Sequence, residues 1–356
     1  MNIREATKSY EAWLGRLTPL ARADLQLKHA RMREDLFCFF RAAYYRWAQL
    51  WRAACPELAR DFPVLAVGDL HVENFGAWRD AEGRLIWGVN DFDECCEMPF
   101  TNDILRLTVS AHIAAQVGEL SLPEPGACAE ILRGYEACLK AGGRPLALVD
   151  AATPLRAMVR YRLNTPERFW NKLYAYPAER APIPSKIRRF IMALLPDKTA
   201  PLRFVHRVAG LGSLGKPRFT ALGSWCGGPI CREAKALTPS AVRWVEGKKA
   251  GKTYYDRILK RAVRCPDPLV AVRGEWLVRR LSQDCFRIPL SHLPQKRDER
   301  ALLFHMGWET ANIHLGSAPA ATLAKHLRRK PAKWLDDAAT VMRELCVRDW
   351  KHWRKA

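Results

Sequence analysis

Regularly spaced hydrophobic residues first appear in the stretch 22–54. They recur every three or four positions, which is the spacing of one helix face. We therefore predict a single long helix over this stretch, with its aromatic stripe packed into the core. The residues of this face are Leu36, Phe39, Phe40, Ala43, Tyr44, Trp47, Leu50 and Trp51.

The apolar runs that follow are short and predict strands. Residues 64–67 form an uninterrupted apolar run, which is typical of a buried strand. Two further apolar runs flank a polar turn that contains glycine, and this pattern predicts a β-hairpin. With a two-residue turn at Glu82-Gly83, the hairpin places Asn74 opposite Asp91.

Beyond the hairpin, the pattern alternates between helix and strand. Helices are predicted at about 103–117 and 124–141, in proline-broken pieces over 142–200, from about Thr238 or Ser240, and from 298 onward. Strands are predicted at 203–208, 218–222, 230–234, 269–272 and 275–279. The chain is therefore expected to be of the α+β class.

Polar residues with oxygen atoms follow the first strand and the hairpin. Asp69 is followed five positions later by Asn74, and Asp91-Phe92-Asp93 follows the second hairpin strand. Kinase-like enzymes use this order to orient an acceptor hydroxyl and to hold Mg²⁺ against nucleotide phosphates. We therefore interpret Asp69 as a catalytic base and Asn74, Asp91 and Asp93 as metal ligands. The alternative is a pair of acidic turns that bind Ca²⁺ or no ligand.

Three nearby residues have more than one interpretation. His71 orients the loop or contacts phosphate, and a packing role fits it equally well. Glu94, like Asp93, adds a metal ligand or is simply solvated. Asp103 caps the following helix, and its side chain also has the reach to tie down the loop that carries Asp69.

A glycine-rich stretch lies far downstream, at Gly210, Gly212, Ser213 and Gly215. The residues after it continue as a strand, and strand–glycine loop–strand is the order in which kinases cover the phosphates. Dinucleotide-binding folds share the glycine spacing, but there a helix follows and an acidic residue lies ~20 positions on. Glu233 keeps this alternative open.

A kinase-type site also needs a cation on the next strand and a glutamate partner on a helix. Arg232 fits the position of the cation, and Glu246 is its possible partner. Lys235 falls on the opposite face of the strand by side-chain alternation. The alternative for Arg232 and Glu246 is that both are ordinary surface charges.

Together these residues resemble the kinase-like superfamily, and specifically aminoglycoside-phosphotransferase-like enzymes, whose loop G-D-L-H-x-x-N matches 68–74. The fuller pattern is similar to an uncharacterised bacterial family, domain of unknown function 2252. Its motifs G-D-x-H-x-x-N-F-G, N-D-F-D-E and D-x-x-R-L match 68–76, 90–94 and 103–107. Its later G-x-G-S-x-G and K-E-A motifs resemble 210–215 and Arg232-Glu233-Ala234, with Arg in place of Lys.

The resemblance implies a two-lobed protein-kinase-like fold. The glycine stretch follows the catalytic loop instead of preceding it, so we expect a circularly permuted chain with the catalytic lobe first. The expected parts are an N-terminal helical part, a catalytic and metal-binding lobe, a small sheet-rich nucleotide-binding lobe and C-terminal helices that pack on the catalytic lobe. Their bounds are 1–60, 61–201, 202–282 and 283–356.

The resemblance further implies an enzyme that uses ATP and Mg²⁺ to phosphorylate a hydroxyl of an unidentified substrate. Nucleotidyl transfer and nucleotide binding without turnover are alternatives within the same fold. The charge adds a third possibility, because 58 Lys and Arg against 37 Asp and Glu give +21. Such a surface attracts polyanions, so a nucleic-acid-binding or scaffold protein is an alternative of a different class.

The cysteines and the apolar runs limit the location of the protein. The eleven cysteines show no C-x₂-C spacing, so we expect neither a zinc site nor a disulfide framework. Reduced thiols fit a cytoplasmic protein. The N-terminus lacks the apolar run of a signal peptide, and no run approaches the ~20 residues of a membrane span.

Overall fold

The computed structural model describes residues 1–148, 155–156, 166–249, 251–287, 290 and 299–355. The stretch predicted as one helix over 22–54 forms three helices instead. The first break falls at Asp35, whose backbone dihedral angles are extended. The Asp35 carboxylate accepts a hydrogen bond from the Cys38 N–H at 2.7 Å. This is an N-cap, which begins a new helix. The helices that open the chain are α1 (Ile3–Gly15), α2 (Arg22–Glu34), α3 (Leu36–Ala42) and α4 (Tyr44–Ala54).

The predicted aromatic face is buried, apart from the half-buried Leu50.

Two small β-sheets follow α4 along the chain. The strands β1 (Pro63–Ala66) and β4 (Cys96–Pro99) form an antiparallel pair, and the sequence did not predict β4. The predicted hairpin, β2 (Phe75–Arg79) and β3 (Leu85–Val89), is flanked by β11 (Phe286–Arg287) and β5 (Leu146–Ala147) in a four-stranded sheet.

The hairpin turn has three residues between its closing pair, not the predicted two. The Asp80 N–H donates to the Arg84 carbonyl at 3.1 Å, which closes the loop. Gly83 has φ 72°, the left-handed conformation in which three-residue hairpin loops end. The Asp80 carboxylate also accepts from the Arg84 N–H at 2.9 Å. A loop with one more residue shifts the pairing of the two strands by one position.

The observed register follows from this turn. Phe75 pairs with Val89, so Asn74 lies opposite Asn90 and not opposite Asp91. The Asn90 N–H donates to the Asn74 carbonyl at 2.9 Å. The prediction of the register was therefore wrong by one residue. The hairpin nevertheless brings Asn74 beside Asp91, through a side-chain contact described below.

The predicted run of strands after 202 forms one antiparallel sheet of five strands, in the order β6-β7-β8-β10-β9. Its outer face is covered by a helix that buries Ile187 and Ile191 against it. The strands are β6 (Arg203–Val205), β7 (Arg218–Trp225), β8 (Gly228–Ala236), β9 (Val270–Arg273) and β10 (Trp276–Leu281).

Helices connect and enclose these sheets, so the chain is a mixed α+β protein. The predicted helical pieces at 149–154 and 157–165 lie outside the described residues. The remaining helices are α5 (Thr101–Gln116), α6 (Glu124–Ala141), α7 (Pro166–Tyr174), α8 (Ser185–Met192), α9 (Ala241–Val245), α10 (Tyr255–Arg261), α11 (Glu299–Leu315), α12 (Ala320–Arg328) and α13 (Trp334–Arg354).

The C-terminal helices pack against the N-terminal ones. One large hydrophobic core contains residues from α1 to α6 and from α11 to α13. The buried pair Arg46–Asp349, with 2.6 Å between Nε and Oδ2, also joins α4 to α13. In the part of the chain that the structure describes, no helix is both long and apolar enough to cross a membrane.

Two glycines allow α6 and α11 to approach each other closely. A Cβ atom at Gly134 would lie 1.8 Å from the Phe304 carbonyl oxygen, and one at Gly307 would lie 2.0 Å from that of Ile131. Atoms do not approach this closely, so any larger side chain pushes the two helix backbones apart.

We therefore expect Gly134→Ala to lower the free energy of unfolding by about 3 kcal/mol, the cost of forcing an atom into a packed core. Urea denaturation measures this change. Gly126→Ala in the same helix is the control, because its Cβ would meet only the Leu122 side chain, at 3.3 Å. An equal effect of the two substitutions would contradict the close-approach explanation.

A buried carboxyl group, Glu309, gives the fold a pH dependence. It lies on α11 behind the hairpin, and its Oε1 accepts from Asn312 Nδ2 at 2.7 Å. Burial raises the pKa of Glu309 to about 8. The folded state thus keeps a proton that the unfolded chain loses near pH 4–5, so the contribution of Glu309 to stability falls as pH rises towards 8.

We expect Glu309→Gln to remove this loss, because Gln accepts the same hydrogen bond without ionising. The variant and the wild type should have similar stability at pH 5. At pH 8 the variant should be more stable by on the order of 4 kcal/mol. Urea denaturation at both pH values tests this, and a stability difference that is the same at both pH values would contradict it.

Candidate functional site

The loop that carries Asp69 is held in place by a buried carboxylate. Asp103, on α5, accepts hydrogen bonds from the N–H groups of Val67 at 2.6 Å and Gly68 at 2.9 Å. His314 Nε2 lies 3.1 Å from the Asp103 Oδ2, and the Tyr135 hydroxyl lies 2.8 Å from the other ring nitrogen of His314. Asp103 therefore ties down the loop, as predicted. The prediction that it caps the helix was wrong, because α5 begins at Thr101 and has no side-chain cap hydrogen bond.

Gly68 brings the loop against the end of the hairpin. Its φ is 81°, a left-handed conformation that favours glycine. A Cβ atom there would lie 2.4 Å from the Glu94 carbonyl oxygen. Glycine is thus required for both conformation and space, and the two acidic segments, 67–76 and 89–94, lie in direct contact.

Arg106 fixes the carboxylate of Asp69. Its Nε and Nη2 atoms both donate to Asp69 Oδ1, at 2.9 and 2.5 Å. The fully buried guanidinium lies 4.0 to 5.0 Å from the ring centroids of Phe40, Tyr44 and Trp47. Burial raises the pKa of Asp69, and the charge of Arg106 opposes that rise. Arg106 belongs to the D-x-x-R-L motif, but no role was predicted for it.

Asn74 joins the two acidic segments. Its Nδ2 atom donates to the carbonyl oxygens of Asp69 at 3.2 Å and Asp91 at 2.9 Å. Both partners are acceptors, which settles the orientation of the amide group. The Oδ1 atom is then buried with no hydrogen-bond partner among the described residues. An oxygen atom in this state is suited to binding a cation.

Lys235 is the cation of β8 that lies beside the acidic residues. The prediction that Arg232 occupies this position was wrong. The ammonium group of Lys235 is buried and lies 3.1 Å from Asp91 Oδ1 and 2.6 Å from Asp93 Oδ1. Arg232 points away, and its Nε donates to the Leu194 carbonyl at 2.8 Å. The alternation of side chains was predicted correctly, but the other face of the strand borders the site.

Glu246 is not brought to the site either. It follows the last residue of the short helix α9, where its carboxylate lies 3.3 Å from Arg52 and 3.0 Å from Lys248. No contact with Arg232 is present in the described part of the chain. The predicted pair of Arg232 with Glu246 is therefore not formed. Lys235 instead forms ion pairs with two aspartates of the site.

The glycine segment, residues 210–215, lies directly over Asp69. A Cβ atom at Gly212 would lie 3.5 Å from Asp69 Oδ2. The α2 helix holds the segment down, because Lys28 donates to the Gly212 carbonyl at 3.3 Å and the Ala21 N–H donates to that of Gly215 at 2.9 Å. A strand, β7, and not a helix follows the segment, within an antiparallel sheet. This arrangement differs from that of a dinucleotide-binding fold.

These elements enclose a pocket of about 40 Å³, which we call the catalytic pocket. Gly215, Arg232 and Glu246 do not line it. Three additional cations do, although no function was predicted for any of them: Lys28, Arg41 and Lys216. The predicted residues that line it are Asp69, His71, Asn74, Asp91, Asp93, Gly210, Gly212 and Ser213.

Burial shifts the pKa values of two groups that line the pocket. It raises the pKa of Glu94, which also lines the pocket, to about 7. It lowers the pKa of Lys28 to about 8. His71 is buried, and its ring lies edge-on to Phe37 at 6.2 Å between centroids, which fits the packing role predicted as one alternative.

The predicted metal ligands fit Mg²⁺ held jointly with phosphates. Among the residues that the structure describes, no group of three or more His, Cys, Asp or Glu side chains is arranged to hold a metal ion. Mg²⁺ is usually bound through one or two carboxylates plus substrate phosphates, so a complete protein cage is not required. The unpaired Oδ1 of Asn74 and the carboxylates of Asp91 and Asp93 suit this partial ligand set.

Comparison with known protein families supports the resemblance to the uncharacterised bacterial family over part of the chain. Residues 21–147 match the model of a family described as "uncharacterized protein conserved in bacteria (DUF2252)". The match includes Asp69, Asn74, Asp91 and Arg106 and ends before the glycine segment. No curated protein matches the chain, and no solved structure does. The comparisons therefore do not name an activity.

We expect Arg106→Met to destabilise the protein by roughly 3 kcal/mol, because it leaves the half-buried Asp69 carboxylate without the guanidinium group that pairs with it. The loss should be smaller at pH 5 than at pH 8, because protonation of Asp69 removes the unpaired charge. Urea denaturation at both pH values measures this effect. Lys260→Met is the control, since the exposed pair of Lys260 with Asp256 contributes about 0.5 kcal/mol or less.

Proposed function

We propose that the protein is an ATP- and Mg²⁺-dependent phosphotransferase that acts on a hydroxyl group of its substrate. The observation that carries this proposal is the position of the glycine segment against Asp69, in a pocket that also contains Asn74 and Asp91. These parts come from stretches about 140 residues apart in the sequence. Their convergence supplies a base, an oxygen ligand set and a phosphate cover in one place.

Asp69 is suited to act as the base. Arg106 holds its Oδ1, so Oδ2, on the side of the glycine segment, is left to accept a proton. The substrate hydroxyl would pass its proton to Oδ2 as its oxygen bonds to the γ-phosphorus of ATP. The bond between that phosphorus and the β,γ-bridging oxygen breaks, and ADP leaves with the electron pair.

The remaining residues neutralise charge. Asn74, Asp91 and Asp93 would hold Mg²⁺, which, when bound, offsets the negative charge of the phosphate oxygens. Lys235 is placed beside the same carboxylates and would contact the phosphates as the lysine of kinase-like enzymes does. In this proposal Lys235 takes the role that the sequence suggested for Arg232.

The proposed fold is a two-lobed, circularly permuted kinase-like fold, with the parts 1–60, 61–201, 202–282 and 283–356. The order of the parts supports the permutation, because the glycine segment lies over Asp69 but follows it by about 140 residues in the sequence. Kinase-like enzymes carry their glycine loop before the catalytic loop.

Calorimetric titration with ATP tests the proposal. We expect binding that needs Mg²⁺, and we expect Asp91→Asn to weaken it about tenfold or more through loss of a metal ligand. Asp69→Asn should bind ATP normally but transfer no phosphoryl group. Asp256→Asn, on the exposed face of α10, is the matched control and should behave as the wild type.

Three outcomes would contradict the proposal. The first is no binding at millimolar ATP with Mg²⁺. The second is a product that carries an adenylyl group instead of a phosphoryl group, which mass spectrometry detects directly. That second result would keep the site but assign nucleotidyl transfer to it. Binding of ATP with no transfer of either group to any acceptor would indicate a nucleotide-binding protein without turnover.

A further inference from the structure

A second cavity, of about 310 Å³, lies beside the catalytic pocket. Asp91 and Gly210 line both, so the two spaces meet at the proposed metal site. The catalytic pocket of about 40 Å³ has room for only about three water molecules. Most of a nucleoside triphosphate would therefore lie in the second cavity.

Arginine residues line one wall of this cavity, on the inner face of the five-stranded sheet, which is the face opposite α8. Glu233 is fully buried there, and three guanidinium groups surround its carboxylate. Arg207 lies at 2.5 Å, Arg218 at 2.6 Å and Arg279 at 2.9 Å. Three positive charges thus face one negative charge, and all three arginines line the cavity.

The opposite wall is also cationic. Arg264 lies 4.6 Å from the ring centroid of Trp78 and 5.1 Å from that of Phe92. Its Nε atom is buried and has no hydrogen-bond acceptor among the described residues. Arg280, which also lines the cavity, is balanced by Asp267 at 3.4 Å. An anion between the two walls would satisfy donors that the described residues leave unpaired.

We propose that this cavity binds the polyphosphate chain of the donor, so that the donor is selected by its phosphates and not by its base. The proposal rests on the function proposed above. Guanidinium groups offer only hydrogen-bond donors, and their forked geometry matches phosphate oxygens. An adenine amino group needs an acceptor, and the acidic groups of the lining, Asp91 and Asp267, are already paired with Lys235 and Arg280.

The first experiment compares ligands on the wild-type protein by calorimetry with Mg²⁺ present. The ligands are ATP, GTP, inorganic tripolyphosphate and adenosine. We expect the first three to bind with Kd values within about fivefold of one another. This ratio corresponds to the net free energy of about one hydrogen bond. Adenosine should not bind at millimolar concentration. Binding of adenosine, or a preference for ATP above fiftyfold over the other two, would overturn the proposal.

The second experiment locates the site. Arg207→Gln should weaken tripolyphosphate binding about tenfold, because it removes a charged donor to phosphate. Arg203→Gln is the matched control, since Arg203 lies in the neighbouring strand β6, is exposed and donates to the Tyr176 carbonyl at 3.0 Å. Equal binding by the wild type and both variants would place the anion elsewhere and overturn the proposal.

A further variant covers the case in which Arg207→Gln fails to fold. Arg264→Gln leaves the cluster around Glu233 intact, and it should weaken tripolyphosphate binding at least threefold. If tripolyphosphate binding depends on these arginines but no phosphoryl transfer occurs, the cavity is correctly assigned and the proposed function fails. If transfer occurs with strict selection for adenine, the function holds and the proposal about the cavity fails.

Discussion

The site depends on one buried carboxylate that holds a loop by its backbone. Asp103 accepts from two successive N–H groups, those of Val67 and Gly68, and Asp69 follows directly. A carboxylate that bonds to backbone fixes the path of the chain whatever the neighbouring side chains do. Arg106, one helical turn further along α5, then fixes the orientation of the Asp69 side chain. One face of a single helix thus sets both the position and the direction of the proposed base.

The charges of the site are paired between elements that are distant in sequence. Asp69 is paired with α5, and Asp91 and Asp93 are paired with Lys235 on β8. Because a buried charge without a partner costs several kcal/mol, each of these pairs also holds two parts of the fold together. The pair with Lys235 is the ionic link between the hairpin and the five-stranded sheet. Stability and site geometry therefore rest on the same contacts.

The sequence predicted the parts of the site that depend on local pattern. The hairpin, the strands after 202 and the loop containing Asp69 follow from apolar periodicity and turn residues. The break at Asp35 could have been found, because aspartate is a common N-cap. The hairpin register depends on whether the loop that ends at Gly83 has two or three residues. Apolar periodicity alone does not determine loop length to one residue.

The choice between Arg232 and Lys235 could not be made from pattern. Arg232 and Lys235 are both buried although they lie on opposite faces of β8. The helix α8 packs on the face of Ala234, whereas the other face meets α7 through Cys231 and the acidic segment 89–94 through Lys235. Strand alternation separates the two side chains but does not say which face meets the acidic residues. That is decided by tertiary packing. β4 was missed for a related reason: it pairs with β1, about 30 residues earlier, and its four residues, Cys96–Pro99, are too few to show a strand period.

Lys235 also gives a physical reason for a joint requirement for metal and nucleotide. Its ammonium group lies between Asp91 and Asp93, so it cannot contact phosphate fully without weakening its hold on both carboxylates. Two carboxylates left close together repel each other in a site from which water is largely excluded. Asp91 and Asp93 would then be available to hold a divalent cation, whose charge would replace that of Lys235. In the proposed function, metal and nucleotide therefore favour each other's binding.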